Sequence, residues 1–590
     1  MAPTTWLPLL LYILTTFFIP LQTVEALVKR AMPKLTLPYA TYEAANYNPL
    51  SDVRSTSSIC TFPGPDDAKA NGDFQVYTFK NVRFAAPPLG DLRWAIPEQP
   101  LVEPGVQNGS VGFACTQSLP AGLNVGSGSR SPKLDYFFLD VYVPGKAIRG
   151  EVAKLPVIVW IYGCGYSAGS KDGGISLGLY DGTGPIVSSG GNIIVVTFNY
   201  RVGVYGCLAG RTVEAEAVAN AGLHDQYAAF EWANKYISIL GGDSNTVSAW
   251  GESAGAGSIY RLLTRESGTS PGFPDKIDRN CSIERDYQKF EKAAGCEGQG
   301  LACLRNTDAS IINQANDLVT SNPIAPVVFS PAPDGIYFRQ HPAVEFALGN
   351  NWAEMDSVIP SHCLDEGALF VNHSILTDKD LNDYLEYTWP AYAVKDYDVV
   401  NKIEAEYPSA AFKTEADRYK AIIAQSSFLY NTNFLSVAYS GKTYNAQFSA
   451  LNGTHGSDVL PTWYDPFAFT NVSGIELPLW STSLFKGLPI PGVARGYQSY
   501  LVSHARFGNP NSNQSLNIPP TIEWPVVGGH PDGSSPNYLW DVLNVTDTGF
   551  ELIEDRTQNR SICLFWGGII FATTVFGGYD FPRLAGGWRV

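Results

Sequence analysis

The feature that most constrains this chain is Gly251-Glu-Ser-Ala-Gly255, set between the strand-like run Thr246-Val-Ser-Ala-Trp250 and the helix-competent run Ala256-Gly-Ser-Ile-Tyr-Arg-Leu-Leu263. A chain that leaves a strand and enters a helix within a few residues must turn sharply. Such a turn needs residues without bulky Cβ groups on both sides of its apex, and it lifts the apical serine hydroxyl above the sheet. Gly-x-Ser-x-Gly alone is a weak signal in a glycine-rich chain; the strand before it and the helix after it give it weight. Upstream, Pro156-Val-Ile-Val-Trp-Ile161 and Asn192-Ile-Ile-Val-Val-Thr-Phe198 are short apolar runs of the kind buried in parallel sheets. Leu223 to Leu240 carries apolar residues at helical spacing and leads through the turn Gly241 to Asn245 into the next strand. Strand, helix and strand in this order predict an α/β fold.

A serine hydroxyl becomes a useful nucleophile only beside a base, and the base needs an orienting acid; on folds with such a turn the chain order is Ser, then Asp/Glu, then His. His455, in the loop Gly453-Thr-His-Gly-Ser-Asp458, has the required late position. The other six histidines (His224, His341, His362, His373, His504 and His530) are assigned to the surface or to packing. Asp365-Glu-Gly367 follows the apolar pair Val358-Ile359 and offers strand-end carboxylates. After Ile161, the glycine-rich turn Tyr162-Gly-Cys-Gly-Tyr166 can aim backbone N–H groups at a developing oxyanion, with Ala254 N–H as a further donor. The separation from Ser253 to His455 calls for one large domain, although length alone would allow three or four of roughly 150 residues.

Composition narrows the partners. Fifty-six acidic against forty basic side chains give a formal charge of −16, which argues against nucleic acid and anionic membranes. The run Trp6 to Leu21, followed by Val24-Glu-Ala26, reads as a signal peptide over residues 1–26, and Lys29-Arg30 is a dibasic pair just beyond it. A secreted, extracellular chain without stable membrane insertion is expected. Glycosylation sequons stand at Asn108, Asn280, Asn372, Asn452, Asn471, Asn513, Asn544 and Asn559. Nine cysteines leave at least one unpaired within the chain, and Cys296 and Cys303 are spaced for a local disulfide. No metal-ligand spacing appears, so neither metal nor cofactor is expected.

These residues resemble the type B carboxylesterases, or cholinesterase-like family, and most closely its secreted fungal carboxylesterase-lipase group. The resemblance rests on Tyr77-Thr-Phe-Lys-Asn-Val-Arg-Phe-Ala-Ala-Pro-Pro-Leu-Gly-Asp-Leu-Arg-Trp94, Leu139-Asp-Val-Tyr-Val-Pro144, Val157 to Ser170, Asn199-Tyr-Arg-Val-Gly203, Gly242 to Ser258, Asp365-Glu-Gly367 and His455-Gly-Ser-Asp458. It implies an α/β-hydrolase fold with a large, mostly parallel central sheet flanked by helices. It also implies Ser253 as nucleophile, His455 as base, Glu366 as the acid that orients it, and Cys164, Gly165 and Ala254 as the oxyanion hole. The substrate would be a small-molecule or lipid ester. The single hydrolase domain is expected over residues 40–563, followed by an atypical tail over 564–590.

Departures from the family pattern carry expectations too. Cys164 stands where the family has glycine, and a Cβ there disfavours positive φ. Lys133-Leu-Asp-Tyr136 replaces Ser-Glu-Asp-Cys, which removes the expected disulfide partner of Cys115 and the glutamate expected to pair with Arg93; Cys60 is a substitute partner for the thiol. The short span from Cys115 to Tyr136 suggests an unlidded esterase. Glu266 to Arg285 holds no strand-like run, so one sheet strand is expected to be missing. These departures keep a second reading open, a catalytically impaired cholinesterase-like binding protein or a defective gene product.

Overall fold

The computed structural model describes residues 32–49, 75–118, 134–173, 179–264, 282–321, 329–334, 337, 340–372, 374–389, 391–465, 491–512, 521–528 and 539–576. The expected leader, Lys29-Arg30, Cys60, the stretch 119–133 and residues 265–281 lie outside the described residues.

Six strands form the main sheet: β1 (Asn46–Pro49), β2 (Gln75–Arg83), β3 (Phe138–Pro144), β4 (Leu155–Ile161), β5 (Ile194–Phe198) and β6 (Gly242–Gly251), in the spatial order β1-β2-β3-β5-β4-β6. The apolar runs read from sequence become β4 and β5, and every side chain of β5 is buried. The helix α1 (Ala221–Tyr236) continues as a 3-10 turn and delivers the chain to β6, which takes in most of the residues assigned to a turn at 241–245. A second sheet contains β7 (Ser361–Cys363), β8 (Ala446–Phe448), β9 (Leu539–Val545) and β10 (Phe550–Asp555) in sequential order.

One expectation about the sheet needs correction. It is mixed rather than mostly parallel: β5 pairs with β4 and β4 with β6 in parallel, whereas β1-β2, β2-β3 and β3-β5 are antiparallel. It is also not one continuous sheet among the described residues. No described strand pairs with β6 on the side away from β4, and Asn245 and Ala249 of β6 are exposed although β4 and β5 are almost wholly buried. The break falls where the sequence lacks a strand, after the helix α2 (Ala254–Leu262) that follows the serine turn.

The boundary expected at residue 563 falls inside α3 (Arg560–Phe576). This helix is part of the core: Trp566, Ile569 and Ile570 are buried, and Trp566 Nε1–H donates to Tyr407 Oη at 2.8 Å. Ahead of residue 40 and across it, Lys34–Thr36 pairs with Thr41–Glu43 in an antiparallel ribbon. Among the described residues no helix is long and apolar enough to cross a membrane.

Cys296 and Cys303 are joined by a disulfide. Cys115 is a free, buried thiol with the buried Tyr136 beside it. Arg93, without its glutamate, donates from Nη1 to the carbonyls of Leu304 and Thr307.

Candidate active site

Ser253 sits at the apex of the turn between β6 and α2 with φ 54° and ψ −123°, the strained backbone that a sharp strand-to-helix reversal imposes. The flanking glycines are required by space. A Cβ on Gly255 would lie 1.9 Å from the Ile161 carbonyl oxygen, and one on Gly163 would lie 2.8 Å from Ser253 Cβ. The turn is therefore pressed against the end of β4, and no side chain fits between.

Glu366 and His455 arrive from the second sheet. Glu366 lies three residues beyond β7, and His455 lies in the loop after β8. The two loops are tied by Leu364 N–H to Phe448 O at 2.9 Å, by Asp365 N–H to Gly453 O at 2.7 Å, and by the bridge between Asp365 and Thr454. His455 Nε2 then stands 2.9 Å from Ser253 Oγ, and Nδ1 stands 2.5 Å from Glu366 Oε2. Glu366 Oε1 accepts the Cys363 N–H at 2.6 Å. Phe370 and Phe428 flank the imidazole, with ring centroids 5.1 and 4.6 Å away. A carboxylate thus fixes one imidazole nitrogen and leaves the other facing a hydroxyl, an arrangement able to accept a proton from that hydroxyl.

The surroundings are acidic. Burial alone would lower the pKa of His455, but the charge and hydrogen bond of Glu366, joined by Glu252 and Asp458, hold it up at about 9. Burial pushes Glu252 up to about 7, against the pull of His455. Burial, with the Glu366 charge, pushes Asp458 up to about 6. Glu252 Oε1 lies 3.2 Å from His455 Nε2, so the serine hydroxyl is not the only group facing that nitrogen. A cavity of about 60 Å³ touches Ser253, His455, Glu366 and Glu252, and Ser361-His-Cys363 of β7 also lines it.

The turn proposed for the oxyanion lies beside the serine. Cys164, Gly165 and Tyr166 all have positive φ, at 74°, 62° and 58°. The Cys164 carbonyl accepts from Ser167 and Ala168, while among the described residues no main-chain acceptor takes the N–H of Cys164 or Gly165. Cys164 thus adopts the backbone expected to be unfavourable for it, with its residue exposed. Ala254, buried, opens α2.

Of the sequons, Asn108 and Asn452 are exposed, and Asn372 and Asn559 are partly so. Asn544 is a correction: it is buried in β9, accepts from Ser449 Oγ and donates to Glu551, because on a paired strand its side chain points into the sheet's packing. Such an amide has no room for a glycan in the folded chain. Asn280, Asn471 and Asn513 lie outside the described residues. Sequence reading missed His362, which it assigned to the surface or to packing and which lines the cavity. Its position four residues before Glu366 was the one available signal.

The architecture, with the serine turn after a parallel strand and the other two side chains on later strand ends, is the α/β-hydrolase fold. Solved structures agree: Aspergillus niger EstA superposes with a TM-score of 0.70 at 22% identity over 92% of this chain and 99% of its own. A thermophilic PNB esterase gives 0.67 at 20% identity over 90% and 100%. Residues 53–539 match the carboxylesterase family, and the chain belongs to that family of carboxylic ester hydrolases. A secreted lipase of Arthroderma benhamiae is 37% identical over 574 residues, covering 95% of this chain and 96% of the relative. Secreted lipase 4 of Gibberella zeae is 27% identical, covering 83% and 88%.

Proposed function

We propose that this chain is an exported carboxylic-ester hydrolase that works through an acyl-enzyme on Ser253. The observation that carries the reading is the line of hydrogen bonds from Glu366 through His455 to Ser253. In this mechanism His455 Nε2 takes the Ser253 proton as Oγ attacks the ester carbonyl, and Glu366 stabilises the imidazolium that forms. The N–H groups of Cys164, Gly165 and Ala254 hold the tetrahedral oxyanion; losing one donor in comparable enzymes costs roughly 3 to 4 kcal/mol. The imidazolium then protonates the leaving alcohol, and water, activated by the same nitrogen, releases the acid. Export is supported by the apolar leader over residues 1–26, the Cys296–Cys303 disulfide and the secreted relatives. Small-molecule or lipid esters are the substrate class, and the domain is a single hydrolase unit.

A second reading, a family member with impaired catalysis, is favoured by Cys164 at φ 74° and by the broken sheet. Two measurements separate the readings. Short-chain p-nitrophenyl esters should be turned over by the wild-type chain and not by Ser253→Ala, and an organophosphonate should label Ser253 covalently. No turnover above the Ser253→Ala control sinks the first reading.

A further inference from the structure

Glu366 has little support from its own strand. β7 is three residues long and pairs only with β8 among the described residues, because the side facing β6 meets no described strand. In a continuous sheet, ladders on both sides would fix the strand end from which Glu366 projects. Here a side chain contributes the second anchor. His362, in the middle of β7, is buried, and its Nε2 lies 2.8 Å from Oδ2 of the equally buried Asp555 at the end of β10. Its Nδ1 lies 3.0 Å from the Cys363 carbonyl oxygen.

Both partners of the ring accept. A carbonyl has no proton to give. Asp555 also receives Thr557 N–H at 2.9 Å, Thr557 Oγ1–H at 2.5 Å and Gln558 Nε2–H at 2.8 Å, three donated hydrogen bonds that favour its ionised form. An imidazole set between a carbonyl and a carboxylate bridges the two by carrying both its protons. The electrostatics agree: burial lowers the pKa of His362, yet the charge and hydrogen bond of Asp555 lift it to about 9, and Asp555, which burial would raise, falls to about 2. Cys363, whose carbonyl takes the Nδ1 proton, gives its own N–H to Glu366 Oε1. One line of contacts therefore runs from Asp555 through His362, Cys363, Glu366 and His455 to Ser253. The other charged groups around the shared cavity are Glu252, Glu366, Asp458 and His455.

Resting on the reading of Glu366 as the orienting acid, we propose that His362, clamped as an imidazolium by Asp555, is a positioning residue that holds the Cys363-to-Glu366 turn against His455 in place of a flanking strand.

The test is ester hydrolysis across pH by His362→Gln, Asp555→Asn and the double variant, each checked for folding by circular dichroism. In His362→Gln, kcat should fall roughly 10- to 100-fold, the range for orienting partners, with KM within about twofold. The acidic limb of kcat/KM should move to higher pH, because a cation that opposes protonation of His455 is gone. Asp555→Asn should lose a similar factor, and the double variant no more than the worse single, as for two members of one unit. Unchanged kcat in folded His362→Gln, or losses that multiply in the double variant, overturns the proposal. Should neither variant fold, nitrogen-15 spectra of labelled histidine in the His455→Ala chain decide: one ring should keep both protons at about pH 8, well above the ordinary histidine range, and its absence overturns the proposal. A wild-type chain that hydrolyses no ester sinks the hydrolase reading instead, while that spectrum still reports on His362.

Discussion

Gly255→Ala adds one methyl group at the point where the serine turn meets β4. Its Cβ would stand 1.9 Å from the Ile161 carbonyl oxygen, 2.7 Å from the Ile161 carbonyl carbon and 2.9 Å from the Tyr162 oxygen. Ordinary contact begins at 3.4 Å, so 3.4 − 1.9 = 1.5 Å must be found, and every opposing atom is main chain. No rotamer change can supply that distance. Alanine would add roughly 0.5 to 1 kcal/mol of helix propensity in α2, against overpacking of roughly 1 to 3 kcal/mol, so a modest net loss of stability is expected. Activity should respond more strongly. Either Ser253 or the Tyr162-to-Tyr166 turn has to move, and a displacement near 1 Å between reacting groups lowers rate by roughly 100-fold, or about 2.7 kcal/mol. The assay is kcat and KM on a p-nitrophenyl ester, with thermal unfolding of the same sample. A folded Gly255→Ala chain whose kcat stays within about threefold of wild type would refute the spatial account of this glycine.

Other outcomes follow from the same geometry. Cys164→Gly removes a Cβ from a residue at φ 74°, relieving strain of roughly 1 to 2 kcal/mol, and kcat should rise severalfold; an unchanged or lower kcat shows that the thiol does not impair the oxyanion turn. Because catalysis needs neutral His455 and its neighbours hold its pKa at about 9, kcat/KM should climb with pH through the neutral range instead of levelling near the ordinary histidine value. Glu252→Gln removes a carboxylate 3.2 Å from His455 Nε2 and should shift that limb to lower pH; a pH–rate profile showing no shift counts against the contact. Trp566→Ala empties a buried indole site and breaks its bond to Tyr407, so denaturant unfolding should register a loss of roughly 3 to 5 kcal/mol; unaltered stability would mean that α3 is not part of the core.

The serine turn was legible because its requirements are local. A reversal from strand to helix needs Gly251 and Gly255 within two residues of Ser253, and the apolar runs that became β4 and β5 are written in consecutive residues. Chain order pointed to His455 and to the Asp365-Glu366 pair, and the family resemblance then chose Glu366 as the acid; no local pattern could have joined the two loops across 89 positions. The departures were readable in part: Tyr136 in place of cysteine leaves Cys115 a free thiol, and the missing apolar run after α2 coincides with the unpaired side of β6.

What the amino-acid order determined by itself was the nucleophile's setting, the sequence of Ser, Glu and His, and the hydrolase class, since each depends on near neighbours or on a motif carried whole. Tertiary structure alone decided the rest. His362 finds Asp555 193 residues later, Glu252 faces His455 from the other sheet, α3 enters the core where an atypical tail was expected, and Asn544 is sealed within β9. Each of these depends on which surfaces meet when strands distant in sequence pair and helices pack over them, and burial then sets the charge of every group so enclosed.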